Sequence, residues 1–221
     1  MQSIKKVPIL SFDLDGTLMT SGFGNKVWLE GLPQLYALTH EIPYSEAKKQ
    51  LIGAYDALGN TRREWYDLSY WIDKLHLNGS VESLLKQFTI YIQAFPEVSG
   101  CIKRLSKQYR LIVSSAAMKP FILIELKTAD LLDYFSSFFS ATSDTQTVKK
   151  NPLFYKMIAE KLQCEPKEII HVGDNHEFDY VTPIKAGLHA FYLDRSMSTK
   201  GEHVVSNLTE FEERIQEYPF D

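Results

Sequence analysis

Three short apolar runs punctuate the chain: VPILSF at residues 7–12, LIVSS at 111–115 and IIHV at 169–172. Each gives way at once to polar residues or glycine. Uninterrupted apolar runs of this length suit strands buried on both faces, as in a parallel sheet. FFSAT at 138–142 and HAFYL at 189–193 are weaker strand candidates. Between them the period changes to that of a helix. EVSGCIKRLSKQ puts Val98, Ile102 and Leu105 on one face, with Pro96 suited to its first turn. NPLFYKMIAEKLQ opens on a capping candidate, Asn151, followed by Pro152 at the first helical position. Strands alternating with helices from about Glu97 onward, together with the first strand, predict an α/β parallel sheet with right-handed crossovers.

Residues 21–93 read differently. They carry helical patterns and no convincing strand. Thr61 and Glu64 form a capping-box pair, and Trp65, Leu68, Ile72 and Leu75 follow at helical spacing. Ser80 is placed to cap a further helix through SVESLLKQFTIYIQ. The pattern predicts a helical insertion after the first strand, with Gly22, Gly24 and the pair Phe95–Pro96 as its hinges. Its aromatic residues (Trp28, Tyr36, Tyr55, Trp65, Tyr66, Tyr70 and Trp71) are expected to pack helix on helix, with most tyrosines at the rim. The alternative is a stacking platform for a substrate ring.

Length permits one sizeable core and a smaller accessory domain: the chain has 221 residues, 44% hydrophobic and 24% charged. Its formal net charge of −4 and lack of a basic cluster argue against nucleic acid as a partner. Cys101 and Cys164 stand far apart and have no CxxC neighbour, as expected of reduced thiols. The lysines before the first apolar run superficially suggest a secretory signal, but the run is short and leads straight into Asp13 and Asp15 without a small-residue cleavage pattern. No stretch approaches a membrane span, and the expectation is a cytoplasmic protein.

The chemistry gathers at strand ends. In FDLDGTL, Asp13 and Asp15 follow the first apolar run, where ligands bind in open α/β sheets. They either share one side of a continuing strand or ride a turn made at Gly16 that curls around a ligand. Two carboxylates so close are costly without a cation or a shared proton. Ser114 and Ser115 end the second run, Asp174 follows the third with Asp179 five residues on, and Lys149 and Lys150 precede the helix capped at Asn151. Carboxylates, a hydroxyl, a lysine and helix N-termini on one edge suit Mg²⁺ and phosphate.

The order DxDGT, serine at a strand end, lysine before a helix and GDxxxxD resembles the four motifs of the haloacid dehalogenase (HAD) superfamily. The resemblance covers nearly the whole chain. It implies a Rossmann-like core at residues 1–20 and 94–221, a helical cap at 21–93, and a final helix at NLTEFEERI. It also implies Asp13 as nucleophile and Asp15 as general acid and base. Mg²⁺ would be held by Asp13, the Asp15 main-chain carbonyl and Asp174, with Asp179 supporting the site and Thr17 stabilising the turn. Ser114 and a lysine would bind the phosphoryl group. The family commonly reads KPxP where this chain reads KKNP, and alignment on Pro152 selects Lys149. An aspartate at position 15 favours phosphate esters over carbon–halogen bonds. The implied substrate is a small phosphorylated molecule, with a sugar-phosphate mutase or a non-catalytic phosphate-binding partner protein as alternatives. His171 reads as a core histidine, and His176 as a candidate contact beside the metal motif.

Overall fold

The apolar runs become the strands of one six-stranded, all-parallel sheet. The computed structural model describes residues 8–145 and 147–219, so Val7 of the first run lies outside them. The strands are β1 (Ile9–Phe12), β2 (Arg110–Ser115), β3 (Ser137–Ser140), β4 (Ile169–Gly173), β5 (His189–Leu193) and β6 (Val204–Val205), in the order β3-β2-β1-β4-β5-β6. Phe12, the last residue of β1, is level with Val113 on one side and with Val172 on the other, so β2 and β4 run only two residues and one residue further. The chain builds outward from β1 to β3, then returns to β1's other side. That reversal opens a crevice between the ends of β1 and β4, beside which Asp13 and Asp174 lie.

Alternation along β1 divides its side chains between two layers. Leu10 and Phe12 enter a core with Leu111, Val113, Ile170 and Val172, covered by Val98 and Ile102 of one helix and Phe211 and Ile215 of another. Phe12 meets Phe135 and Phe211 edge-on at 6.1 and 5.7 Å. Ile9 faces the opposite layer, with Ile112, Phe139, Phe154 and Ile158. Ser11 shares that second face, where a polar cluster takes the place of aliphatic packing.

The helices before β2 are α1 (Gly22–Lys26), continued through a π-turn (Val27–Gly31) into α2 (Leu32–His40), then α3 (Tyr44–Leu58), α4 (Leu68–Lys74), α5 (Val81–Gln87) and α6 (Val98–Leu105). After β2 come α7 (Lys119–Thr128), α8 (Pro152–Leu162), α9 (Thr182–Lys185) and α10 (Leu208–Gln216). Helices α1 to α5 gather their own apolar cluster around Phe23, Leu51, Tyr55, Leu68 and Trp71, to which α7 contributes Phe121. The two connections to this helical segment run side by side: Thr20 N donates to Gln93 O at 2.9 Å and Phe95 N to Leu18 O at 3.2 Å.

Several local expectations hold. Asn151 Oδ1 accepts from Phe154 N (2.9 Å), Ser80 Oγ from Ser83 N (3.1 Å), and Val98, Ile102 and Leu105 are buried together. Others need correction. The helix expected from Thr61 begins instead at Leu68, because Asp67 Oδ1 accepts from Ser69 N and Tyr70 N while Glu64 turns to Arg62. Residues Arg63–Tyr66 form only a 3₁₀ turn. The helix after Ser80 stops at Gln87, and a 3₁₀ turn (Thr89–Tyr91) follows. Pro96 precedes α6 instead of entering its first turn, and the expected hinge residues Gly22 and Gly24 lie inside α1.

Candidate active site

The chain leaves β1 abruptly. Asp13 N makes a last ladder bond to Val172 O (3.0 Å), after which Leu14 O accepts from Thr17 N, Leu18 N and Met19 N at 3.3, 2.9 and 2.9 Å. Of the two arrangements the sequence allows, the structure takes the curl. Gly16 makes it possible: its φ is +82°, and a Cβ there would lie 2.2 Å from Asp174 Oδ2. Arg195 clamps the turn from outside, donating to Gly16 O (3.0 Å) and Thr17 O (2.7 Å) while pairing with Glu97 (2.8 Å). No sequence pattern singles out this arginine. Thr17 Oγ1 reaches Asp13 Oδ2 at 3.5 Å.

The lysine at the site is Lys150, which corrects the alignment-based choice of Lys149. Lys150 Nζ lies 2.5 Å from Asp13 Oδ1, also pairs with Asp179 Oδ1, and approaches Ser114 O at 3.5 Å. It is buried, whereas Lys149 projects over the ring of Phe178, 4.8 Å from its centroid. The residue next to the helix cap Asn151 turns inward, and its neighbour faces out.

Beneath Lys150 runs the polar cluster. His171 Nε2 contacts Asp179 Oδ1 at 3.0 Å, His171 Nδ1 contacts Ser11 Oγ at 2.8 Å, and Ser11 Oγ bonds Ser114 Oγ at 2.8 Å. Burial lowers the pKa of His171, favouring the neutral ring. His171 is thus a satisfied interior histidine whose links to the carboxylates the sequence did not reveal. Ser114 is fully buried and its hydroxyl is engaged by Ser11; Ser115 accepts from Ala117 N (3.1 Å). His176 is exposed and packs against Tyr180 and Tyr192.

Asp179 is held from every side. Besides Lys150 and His171, Asn175 N donates to its Oδ2 at 3.1 Å, and a Cβ on Gly173 would strike its Cγ at 2.5 Å. Burial alone would raise its pKa, but Lys150 and His171 outweigh that and bring it to about 2. Lys150 is shifted upward: burial opposes its charge, and Asp13 and Asp179 more than compensate. The other carboxylates move the opposite way. Burial raises Asp13 well above the ordinary range despite Lys150, burial and then Asp174 raise Asp15 to about 6, and burial and then Asp179 raise Asp174.

One oxygen each from Asp13, Asp174 and Asp179 lie within 4.8 Å of one another. Since Asp179 is fully engaged, Asp13 and Asp174 are the better placed to take a cation. Four carboxylates gather around one lysine, and this all-oxygen, electron-rich donor set fits a hard divalent ion. Two cavities flank the cluster. One, of about 480 Å³, reaches Asp15; the other, of about 990 Å³, reaches Lys150 and includes Arg62, Arg63, Lys149 and Lys185 in its wall. Glu125, on α7, was not foreseen either. It is fully buried, neither carboxylate oxygen has a partner among the described residues, and burial, then Asp15 and Asp13, raise its pKa to about 9.

Known proteins share this fold to different extents. A HAD phosphatase from Thermococcus onnurineus superposes with a TM-score of 0.75 at 23% identity, covering 94% of this chain and 97% of that one. L-2-haloacid dehalogenase from Xanthobacter autotrophicus superposes at 0.60 with 15% identity, covering 96% and 99%. At these identities the likeness establishes the fold. Haloacid dehalogenase-like hydrolase domain-containing protein 3 of Danio rerio is 28% identical over 97 residues, which span 41% of this chain and 40% of that protein's length. A family model described as haloacid dehalogenase-like hydrolase matches residues 7–187, from the first strand through the loop that carries Asp174 and Asp179, and on that match the chain belongs to the haloacid dehalogenase-like hydrolases.

Proposed function

We propose that the protein is a Mg²⁺-dependent phosphatase of small phosphate monoesters that works through an aspartyl-phosphate, with residues 21–93 acting as a cap over the site. The observation that carries this reading is Asp15. It sits on the same turn as Asp13, at the wall of a cavity, and its pKa is raised to about 6 by burial and Asp174. A carboxyl poised near neutrality can give a proton and take one back.

Asp13 attacks phosphorus, forming a carboxyl–phosphorus bond as the ester P–O bond breaks, and Asp15 delivers its proton to the departing oxygen. Asp15 then takes a proton from water, which attacks phosphorus and frees Asp13. Lys150 holds Asp13 Oδ1 and brings positive charge to the incoming phosphoryl oxygens. Ser114 Oγ accepts from Ser11 Oγ, so its own proton is still available to donate to a phosphoryl oxygen. Mg²⁺, bound by Asp13, the Asp15 carbonyl and Asp174, would neutralise phosphoryl charge that otherwise repels the nucleophile.

The test is phosphate release from a panel of phosphorylated metabolites, with Mg²⁺ and with EDTA. Magnesium-dependent release is expected. Asp13→Asn should abolish it, and Asp15→Asn should cost about 10²–10⁴-fold with alkyl esters, whose leaving oxygen needs a proton. Full hydrolysis by both variants would sink the mechanism. The fold likeness to a haloacid dehalogenase favours a second reading, halide displacement by Asp13. Halide needs no proton to leave, so that reading gives Asp15 no task. Chloride release from 2-chloropropionate, without phosphate release from any ester, would establish it.

A further inference from the structure

Asp15 forms part of the wall of the cavity of about 480 Å³, so the group leaving on the oxygen it protonates must occupy that space. Ser21 and Asn25 add two neutral polar groups at its α1 side, and the rest of the wall is apolar and aromatic, built mainly by Trp28, Leu29, Trp65, Tyr66, Met118 and Phe121. Its rings brace one another: Trp28 lies nearly parallel to Phe121 (centroids 6.2 Å apart, 7°) and stacks on Trp65 (6.1 Å, 25°). No lysine, arginine or histidine lines this wall among the described residues. Arg62 and Arg63 line the other cavity, where Glu64 and Asp67 pair with them. An anionic leaving group would therefore sit beside Asp15 with no countercharge, whereas a planar uncharged ring would extend an existing stack. There is space for it at Gly24, where an added Cβ would meet no atom within 4 Å.

We infer that the site takes phosphate monoesters of uncharged arylalkyl alcohols, seating the ring against Trp28 and Trp65, and rejects esters whose leaving group carries a second negative charge. For the reaction this rests on the phosphatase reading; for the ring it rests on the cavity wall.

The experiment compares kcat/KM for benzyl and 2-phenylethyl phosphate with glucose 6-phosphate and 3-phosphoglycerate, all esters with alkoxide leaving groups. The arylalkyl esters are expected to exceed the others at least tenfold. Gly24→Phe, which fills the space, should cut that preference at least tenfold, and Leu29→Lys, at a position 46% exposed, should shift it toward 3-phosphoglycerate. A preference for the sugar or charged ester in the parent protein, or one that neither variant alters, would overturn the inference while leaving the phosphatase reading intact. Binding of 2-phenylethanol, followed by tryptophan fluorescence, separates the two readings. If no ester is hydrolysed, the phosphatase reading fails. The ring site then stands on a saturable fluorescence change that Gly24→Phe removes, and falls if the parent protein shows none.

Discussion

Lys149 and Lys150 are adjacent, chemically identical and differently employed. Lys150 is buried between Asp13 and Asp179, while Lys149 lies over an aromatic ring. Lys150→Ala would leave two buried carboxylates without their cation, a loss of about 3–5 kcal/mol of the kind seen when a buried pair is broken. It should lower both thermal stability and turnover, and Lys149→Ala should leave both nearly unchanged. Parallel melting curves and phosphate-release assays check this. Which lysine turns inward was not legible from spacing, because alignment on Pro152 cannot report the direction of the loop before α8. The carboxylates were legible, since each follows an apolar run and a strand end points to one edge. Glu125 was not, since a glutamate among helix-forming residues ordinarily marks a solvent face. Its folded pKa of about 9 stands above the ordinary value of 4.5, so between those values the native protein holds a proton that the unfolded chain releases. Stability from this group is therefore lost as pH rises through that window, by up to about 1.4 kcal/mol per pH unit. Glu125→Met should raise the melting temperature, more at pH 8 than at pH 5. An unchanged pH profile would count against a protonated Glu125.

Elements bounded by strong local signals stand where their patterns place them. Helix α8 starts at Asn151, which accepts a backbone N–H, and β5 occupies the whole HAFYL run. Two failures have physical causes. Strand β6 has only two residues and is held by pairing with β5, so no local pattern announces it. Helix α4 is capped by Asp67, six residues after the expected Thr61, because the Asp67 carboxylate takes two backbone N–H groups. Asp67→Ala should cost about 1 kcal/mol in chemical denaturation, as lost caps typically do. Thr61→Ala, outside the helix, should cost much less.

For the whole molecule, the strand order brings acidic groups from β1 and β4 together, and their mutual repulsion is part of the folded state. A cation bound only by the folded form stabilises it by mass action, by about 2.7 kcal/mol at a hundredfold excess over Kd. Added Mg²⁺ should therefore raise the melting temperature and EDTA should reverse the rise. Asp174→Ala should abolish the shift. The same strand order also dictates timing. β1 leaves the ribosome before both of its neighbours, one of which begins about a hundred residues later and the other about a hundred and sixty. At 5–20 residues per second, its second edge waits on the order of ten seconds for β4. Helices α1 to α5 close locally in the meantime. Nascent chains that stop short of β4 therefore expose an unpaired hydrophobic edge, and they are the ones a chaperone should capture.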